Sequence, residues 1–443
     1  MTEIALGETL YQQLLALTQL GVEQGAAVFL RYDSAGDRYL VQDIEIALDG
    51  DCLGATETEI TFAPQFLVRV TRRARLEDMH LGLLHTHPKG ATEFSTIDDA
   101  TELRLVDFLK GRNPGRDSFS LMMCGSAIRA RKVASGVLIP VRKVGATIET
   151  YYPPGIAATD EDERFDRQVR AFGEAGQAIL SQLKVAIVGL GGTGSLVAQQ
   201  MAHLGVRNFH LVDEDLIDKS NLNRVVGANA AKVDSAKVDV AEALIHSIQP
   251  EATVNRLTLS VISEEARQAL CTADCIFLCT DSHSSRAFVN ELSYQYLVPA
   301  FDMGVSISAQ EGSVAAVTGR VQMLAPGLPC LWCAGVLNPR IIREELMSEE
   351  ARKADPYFQG QDGGVKQPAV ISINSTVASL AVTMMLGAFT NIPATARWQS
   401  YNALAGTVRL MATQPSDDCG VCGTGGVIGA ADSRAVFLLL RTQ

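Results

Sequence analysis

The feature that most constrains the fold is a glycine-rich loop that directly follows a short apolar segment. Lys184–Val188 has the composition of a buried strand, and Gly189-Leu-Gly-Gly-Thr-Gly194 follows it and leads into a helical pattern from Ser195. Glycines at this spacing allow a tight turn and let backbone N–H groups at a helix N-terminus approach a phosphate. A strand, a phosphate-binding turn and a helix in this order predict a nucleotide-binding α/β fold.

The chain is long enough for two domains. Its 443 residues, 47% apolar and 20% charged, are typical of a soluble globular protein. The segment 151–163 combines Pro, Gly and an acidic run, and we predict that it links a domain at 1–150 to a domain at 164–443.

Apolar periodicity predicts the class of each domain. In the first, helices and strands are mixed, which indicates an α+β domain; the predicted helices are 7–20 and 98–109, and the predicted strands are 26–31, 38–46, 66–71 and 81–85. In the second, strands alternate with helices, which indicates a Rossmann-like, mostly parallel sheet. Its predicted strands are 184–188, 209–212 and 275–279, and its predicted helices are 195–204 and 236–246.

Composition also limits the partners and the compartment. A net charge of −12 argues against nucleic acid, which requires clustered Lys and Arg. The N-terminus has no signal-peptide pattern, and we find no apolar stretch of the roughly 20 residues that span a membrane. Four of the nine cysteines lie in C-x-x-C steps, which are typical of a metal site in a reducing compartment. We therefore expect a cytoplasmic protein without a membrane partner.

A second motif, in the first domain, predicts a catalytic zinc site. His85 and His87 alternate along the end of a predicted strand, so both rings point to the same side. Asp98, on the next helix, gives a third protein ligand and leaves the fourth zinc position to water. Zinc lowers the pKa of this water, and Ser95 can donate a hydrogen bond to the developing oxyanion. Asp99 is the competing carboxylate ligand.

The pattern His85-x-His87, seven residues, then Ser95-x-x-Asp98 resembles the JAMM metalloprotease family, also called JAB or MPN. The resemblance implies a cytidine-deaminase-like fold and zinc on both histidines and Asp98. It also implies a glutamate base on an early strand, a setting that Glu23 matches. The reaction implied is hydrolysis just after the Gly-Gly terminus of a ubiquitin-like protein.

Polar residues beyond the glycine-rich loop favour ATP over NAD. Asp213 and Asp215 suit a ribose hydroxyl, which both nucleotides have. Ser220-Asn-Leu-Asn-Arg224 and Lys237 offer cations for a triphosphate, and Asp281 offers a carboxylate for Mg²⁺. An NAD-dependent oxidoreductase remains the alternative if NAD protects the protein from heat. The predicted nucleotide-binding residues are Gly189, Gly191, Gly192, Gly194, Asp213, Asp215, Asn221, Arg224, Lys237 and Asp281.

From about Arg164 to Cys422 the chain is similar to the ThiF/MoeB and ubiquitin-activating-enzyme superfamily, beginning with Arg164-Phe-Asp-Arg-Gln168. The resemblance implies that Arg167 acts as an arginine finger in the ATP site of the other subunit of a homodimer. The reaction implied is attack by a C-terminal glycine carboxylate on the α-phosphate of ATP, giving an acyl-adenylate. The other implied roles are ribose binding by Asp215, phosphate contacts by Asn221, Arg224 and Lys237, and Mg²⁺ binding by Asp281.

Cys330-Leu-Trp-Cys333 and Cys419-Gly-Val-Cys422 resemble the structural zinc site of the same superfamily. Four thiolates close a tetrahedron with no open position, so this metal would join distant segments rather than catalyse. A redox C-x-x-C pair is the alternative, but two pairs are better explained by one site.

The crossover segment 339–368 contains no cysteine, although many members of the superfamily carry their catalytic Cys there. Three fates of the acyl-adenylate follow: transfer to a sulfur donor, direct transfer to a conjugating enzyme, or an oxyester on a hydroxyl, which needs the strongest activation. The predicted function is processing or deconjugation, and activation, of a ubiquitin-like protein. Activation of a sulfur-carrier protein for thiocarboxylate formation, with a sulfurtransferase as partner, and a non-catalytic scaffold are the alternatives.

Overall fold

The chain divides into two compact units in a computed structural model, which describes residues 2–88, 90–133, 135–153, 162–310, 313–348, 350 and 368–436. Unit 1 comprises the described residues before 158 together with 295–297 and 428–434, and unit 2 comprises the others. Most of the predicted linker 151–163 and of the crossover segment lies outside the described residues, so both remain predictions.

Unit 1 has an α+β fold built on a nine-stranded mixed sheet in the order β11-β10-β1-β3-β2-β6-β7-β8-β9, with β4 and β5 in a separate hairpin. Its helices are α1 (Glu8–Leu17), α2 (Pro64–Leu76) and α3 (Thr96–Arg112). Its strands are β1 (Glu3–Gly7), β2 (Gly25–Asp33), β3 (Arg38–Ile46), β4 (Cys52–Ala55), β5 (Ile60–Phe62), β6 (His80–Thr86), β7 (Ser118–Cys124), β8 (Ala127–Lys132), β9 (Leu138–Ile139), β10 (Val141–Val144) and β11 (Ile148–Tyr151).

Strand β2 contributes side chains to two separate apolar clusters, one on each face of the sheet. Val28 packs with residues of α1, whereas Phe29 packs with residues of α2 and α3. Alternation of side chains along a strand makes this possible. Strand β2 also pairs antiparallel with β6, and β6 pairs parallel with β7, so the end of β6 at His85 is held on both sides.

The predicted strand at 66–71 is wrong, because these residues lie in helix α2. Pro64 stands in the first turn, where its missing N–H costs nothing, and Phe66, Val70 and Ala74 are buried at a spacing of four residues. A window of six residues contains too little of this repeat to separate a helix from a strand.

Unit 2 is an α/β unit with an eight-stranded sheet in the order β14-β13-β12-β15-β16-β17-β18-β19. Its helices are α4 (Asp166–Gln182), α5 (Gly194–His203), α6 (Lys237–Ile248), α7 (Glu264–Cys271), α8 (His283–Gln295), α9 (Pro339–Glu345) and α10 (Ile371–Phe389). Its strands are β12 (Lys184–Val188), β13 (Asn208–Val212), β14 (Thr253–Leu257), β15 (Cys275–Leu278), β16 (Ala300–Gln310), β17 (Ser313–Leu324), β18 (Trp398–Asn402) and β19 (Thr407–Leu410).

The five neighbouring strands β14-β13-β12-β15-β16 pair parallel, as the strand–helix alternation predicts. Strands β17 to β19 extend the sheet antiparallel, so the sheet is mixed. The strand order reverses between β12 and β15, and a ligand crevice is expected at such a switch point, beyond the carboxyl ends of the strands.

Helix α10 corrects the expectation that no apolar stretch is as long as a membrane span. It has 19 residues, and a window of 18 of them has a mean hydropathy of 1.5 and is half buried. By length and composition the helix is sufficient to cross a membrane. It packs against α5, β16 and β17, and a core helix of a soluble protein passes the same test.

Two valines of α2 test the helical assignment. In a strand, Val68 and Val70 would face the same side, whereas in the helix Val70 is fully buried and Val68 is 36% exposed. We expect Val70→Ala to lower the free energy of unfolding by about 2 kcal/mol and Val68→Ala by less than about 0.5 kcal/mol. Equal losses in chemical denaturation would contradict the helix.

Candidate functional sites

Three predicted metal ligands meet at the end of β6. His85 Nε2 lies 3.0 Å from His87 Nε2 and 3.0 Å from Asp98 Oδ1. His87 Nε2 lies 3.6 Å from Asp98 Oδ2, and one ligand atom of each residue lies within 4.8 Å of the others. Ligands about 2.1 Å from a tetrahedral zinc ion are roughly 3.4 Å apart, so these two imidazoles and one carboxylate fit such an ion.

The start of α3 fixes the carboxylate of this cluster. Ser95 is the N-cap of α3: its N–H donates to Asp98 Oδ2 at 2.6 Å, and its Oγ accepts from the Asp98 N–H at 3.2 Å. Burial opposes ionisation, but the neighbouring imidazoles of His85 and His87 hold the pKa of Asp98 far below its usual range. The hydroxyl proton of Ser95 stays available, so its role as an oxyanion donor remains a prediction.

The backbone also orients His87. Its N–H donates to the Met123 carbonyl at 2.9 Å, and its ring Nδ1 lies 3.0 Å from the Ala91 carbonyl oxygen. An Nδ1–H donated to a carbonyl leaves the Nε2 lone pair for a metal, which is a common support for histidine ligands.

Glu23 lies beside this cluster, two residues before β2 rather than within it. Its Oε1 is 3.9 Å from His87 Nε2, and the residue is only 3% exposed. Its N–H donates to the Thr56 carbonyl at 2.7 Å, and the N–H of Gln24 donates to Thr86 Oγ1 at 2.9 Å. Burial raises the pKa of Glu23, as suits a carboxyl that accepts and returns a proton.

The glycine-rich loop of unit 2 lies at the switch point between β12 and β15. Gly189 has a positive φ of 85°, and a side chain at Gly194 would clash with the carbonyl oxygen of Gly189. A Cβ at Gly191 would meet no atom within 4 Å, so this part of the loop faces open space. Backbone N–H groups at the start of α5 are therefore accessible to an anion.

The two aspartates after β13 have different environments. Asp213 is 9% exposed, and its oxygens accept from the N–H groups of Leu190 at 2.6 Å and Asp215 at 2.9 Å. Burial raises the pKa of Asp213. The Asp215 side chain is 67% exposed and contacts Lys237 Nζ at 2.6 Å. Asp213 therefore shapes the loop, and Asp215 is the more exposed of the two carboxylates.

Three further predicted nucleotide-binding residues lie in the segments that follow β13 and β15. Arg224 Nη1 donates to the Ser220 carbonyl at 2.5 Å, and its Cδ would lie 3.3 Å from a Cβ at Gly192. Asn221 Oδ1 accepts from the Asp218 N–H at 3.2 Å and so closes a turn. Asp281 follows β15, and its side chain is exposed.

Arg167 lies in the first turn of α4. It is exposed, and within the described part of the chain no hydrogen bond or ion pair involves its guanidinium. This position leaves the side chain available to a second molecule.

Sequence reasoning missed two polar residues near this crevice. Asn374, on the apolar helix α10, is 4% exposed, and its side-chain amide lies so close to Gly192 that a Cβ there would clash with it. Glu345, at the end of α9, accepts from the Ser282 hydroxyl at 2.8 Å and from the N–H groups of His283 and Ser284 at 3.1 and 2.7 Å. An isolated polar residue in an apolar helix was the available signal for Asn374.

The four cysteines of the C-x-x-C steps form one cluster. Cys330 Sγ lies 3.6 Å from Cys419 Sγ, and Cys333 Sγ lies 3.5 Å from Cys422 Sγ. Thiolates about 2.3 Å from a tetrahedral zinc ion are roughly 3.8 Å apart, so the cluster fits a closed structural site.

Fold and loop together define a nucleotide-binding α/β protein with its crevice at the switch point of a parallel core. The model of the ThiF family matches residues 165–421, which is more than half of the chain. The chain belongs to the ThiF family.

Several curated proteins are similar to this chain. Molybdopterin-synthase adenylyltransferase of Escherichia coli (strain K12) is 29% identical over 262 residues, which are 59% of this chain and 96% of that protein. Ubiquitin-like modifier-activating enzyme 5 of Bombyx mori is 24% identical over 247 residues, 53% of this chain and 58% of that protein. The chain thus spans little more than half of the second relative. Among solved structures, E. coli MccB with ATP is 18% identical, with a TM-score of 0.45 over 60% of this chain and 76% of that one.

Substitutions at two glycines of the loop test its packing and its nucleotide binding separately. We expect Gly194→Ala to lower the melting temperature by several degrees, because the new Cβ would meet backbone. Gly191→Ala should leave melting unchanged yet abolish the stabilisation by ATP–Mg²⁺, because its Cβ would occupy the space open to a phosphate. Calorimetry with and without nucleotide measures both effects; normal ATP protection of Gly191→Ala would contradict the predicted binding mode.

Metal analysis tests the two clusters independently. We expect two zinc ions per chain, one ion after His85→Ala, and one ion with a lower melting temperature after Cys419→Ser, because a structural zinc contributes to folding. Cys52→Ser, which lies outside both clusters, should retain both ions. Unchanged zinc content in His85→Ala would exclude the site in unit 1.

Proposed function

We propose that unit 2 is an adenylyltransferase that uses ATP and Mg²⁺ to activate the C-terminal glycine carboxylate of a ubiquitin-like or sulfur-carrier protein. The observation that carries the proposal is the phosphate-binding loop, open at Gly191 and placed at the switch point of the sheet. Membership of the ThiF family and the names of the relatives support the same reaction.

In the proposed reaction, the chain positions the two substrates and neutralises charge. N–H groups at the start of α5 hold the phosphates, Asp215 holds the ribose, and Asp281 holds Mg²⁺. Arg224 and Lys237 balance the charge as a carboxylate oxygen of the partner attacks the α-phosphorus and pyrophosphate leaves. Positioning of this kind supplies much of the rate enhancement in transfers that involve little covalent participation of the protein.

We further propose that unit 1 is a JAMM-type zinc hydrolase that cleaves after the terminal glycine of the same partner. The support is the cluster of His85, His87 and Asp98 with Glu23 beside it. Zinc on these three ligands would supply a Lewis acid and an activated water. Glu23 would take a proton from this water and return it to the leaving amine, and the Ser95 hydroxyl would stabilise the oxyanion.

Both activities would then act on one tail, with trimming before activation or with release after conjugation. Joining two sites in one chain raises the effective concentration of a bound partner at the second site. We also propose a cytoplasmic location, which four free thiols grouped as in a metal site favour.

Activation of a sulfur carrier is the second candidate for unit 2, and one observation favours it. The segment 339–368 has no cysteine, so a thioester cannot form there. The intact mass of a mixture of the chain, ATP–Mg²⁺ and a candidate partner shows whether a covalent intermediate forms on the chain. A partner carrying AMP beside an unmodified chain would fit direct transfer to a sulfur donor or to a conjugating enzyme, whereas a chain heavier by the partner would reveal a covalent intermediate on another nucleophile.

We propose a homodimer in which Arg167 serves the ATP site of the second copy. The exposed guanidinium without a partner in the described residues supports this arrangement. A monomer in analytical ultracentrifugation at micromolar concentration would exclude it.

The two activities should be separable by single substitutions. We expect Glu23→Gln to abolish zinc-dependent cleavage and to leave ATP–pyrophosphate exchange within about twofold of wild type, because the base acts in unit 1 alone. Asp281→Ala should lower the exchange rate at least about 100-fold and leave cleavage intact, since it removes the proposed Mg²⁺ ligand. Loss of both activities in either variant would refute independent sites, and full exchange by Asp281→Ala would refute its role; a scaffold would show neither activity.

A further inference from the structure

An apolar pocket opens from the metal cluster of unit 1 and runs beneath helix α3. Its lining includes Glu23, His85 and Asp98, which are three of the five side chains of the proposed catalytic centre. The pocket is therefore continuous with the proposed catalytic centre.

The pocket exists because α3 is anchored at both ends and packs loosely between them. Its first turn is held by the cap at Ser95, and just beyond its last turn Asn113 Nδ2 donates to the Met79 carbonyl at 2.9 Å. Leu109 is the only buried residue of α3, all of which is described, and Leu103 is 78% exposed. The sequence of α3 has no continuous apolar face, so the helix cannot close onto the sheet.

The interior of the pocket suits an uncharged, apolar side chain. Leu83 from the sheet and Leu105 and Leu109 from α3 line it, and Phe62 of the β4–β5 hairpin covers one side. Two further carboxylates belong to the wall: Glu59, which is exposed, and Glu102, which Arg131 contacts at 2.7 Å. The rest of the lining is mostly apolar, so each apolar group of the right shape gains burial there.

We propose that this pocket binds the side chain of the residue directly after the scissile bond, and that this side chain is apolar. The inference rests on the proposed hydrolase function and names its substrate class: a linear precursor whose C-terminal extension begins with an apolar residue. The residue before the bond is glycine in that proposal and has no side chain to place.

The direction of the substrate follows from the position of the base. Hydrolysis forms a bond from the water oxygen to the glycine carbonyl carbon and breaks the carbon–nitrogen bond, and the proton taken by Glu23 passes to the departing nitrogen. That nitrogen must therefore lie near Glu23, which lines the pocket, and the side chain of its residue is the one that can enter. A lysine linked through its side chain would instead send a flexible stem towards a second folded protein.

Binding to a base-deficient chain tests the pocket without relying on turnover. We expect the zinc-loaded Glu23→Gln chain to bind acetyl-Gly-Gly-Leu-amide about 10- to 100-fold more tightly than acetyl-Gly-Gly-Ser-amide in calorimetry. Leu105→Trp, added to the same background, should fill the pocket and remove the preference, whereas Leu103→Trp on the exposed side of α3 should retain it. Unchanged zinc content and melting would show that both variants fold.

Equal affinity for the two peptides, or no measurable binding of either at millimolar concentration, would overturn the pocket. Cleavage by the otherwise unaltered chain separates this failure from failure of the hydrolase. Zinc-dependent cleavage of both peptides at equal rates, or faster cleavage of a Gly-Gly tail linked to a lysine side chain, would retain the hydrolase and overturn the inference. Tighter binding of the leucine peptide without any cleavage would support the proposed role of the pocket and contradict the proposed hydrolase function.

Discussion

The contact between Gly194 and the carbonyl of Gly189 is the constraint on which the nucleotide crevice depends. It brings the first turn of α5 against the end of β12, and only a residue without a side chain permits this approach. Asp213 completes the arrangement, because its buried carboxylate accepts the N–H of Leu190 in the same loop. The loop is thus shaped by backbone and a structural aspartate, and Gly191 is left facing open space. Preorganised N–H groups of this kind do not reorganise when an anion binds, which is the basis of their strength.

Asp98 has a comparable double role in unit 1. The same carboxylate accepts from the Ser95 N–H at the helix cap and faces both imidazoles of the cluster. Helix α3 therefore has the candidate ligand Asp98 in its first turn, so folding of the cap and placement of this carboxylate are one event. A substitution at Ser95 would disturb both, which makes its proposed oxyanion role hard to isolate. Glu23 is the cleaner probe, because its side chain takes no part in a cap or a turn.

Motifs with fixed spacing predicted the two clusters of candidate metal ligands and the glycine-rich loop, because each motif consists mainly of residues near one another in sequence. The His85 and His87 pair, and the glycines from 189 to 194, are of this kind. Windows of six residues could not reveal that 66–71 belongs to a helix, since its buried face recurs only every four residues. The roles of Asn374 and Glu345 depend on contacts across long stretches of chain; a local pattern marks Asn374 as unusual in its apolar helix but does not encode its contact with the loop.

The spacing of the two aspartates after β13 does not distinguish their roles, whereas their burial does. In sequence, Asp213 and Asp215 are equivalent candidates for a ribose. In the structure, the backbone uses both oxygens of the first, whereas the second is exposed; Lys237 Nζ lies 2.6 Å from Asp215 Oδ2 and 3.6 Å from Asp213 Oδ1. A nucleotide that binds Asp215 must therefore compete with or include its ion pair with Lys237. The proposed phosphate contact of Lys237 and the ribose contact of Asp215 are then a single rearrangement, and a substitution at either residue should weaken both contacts together.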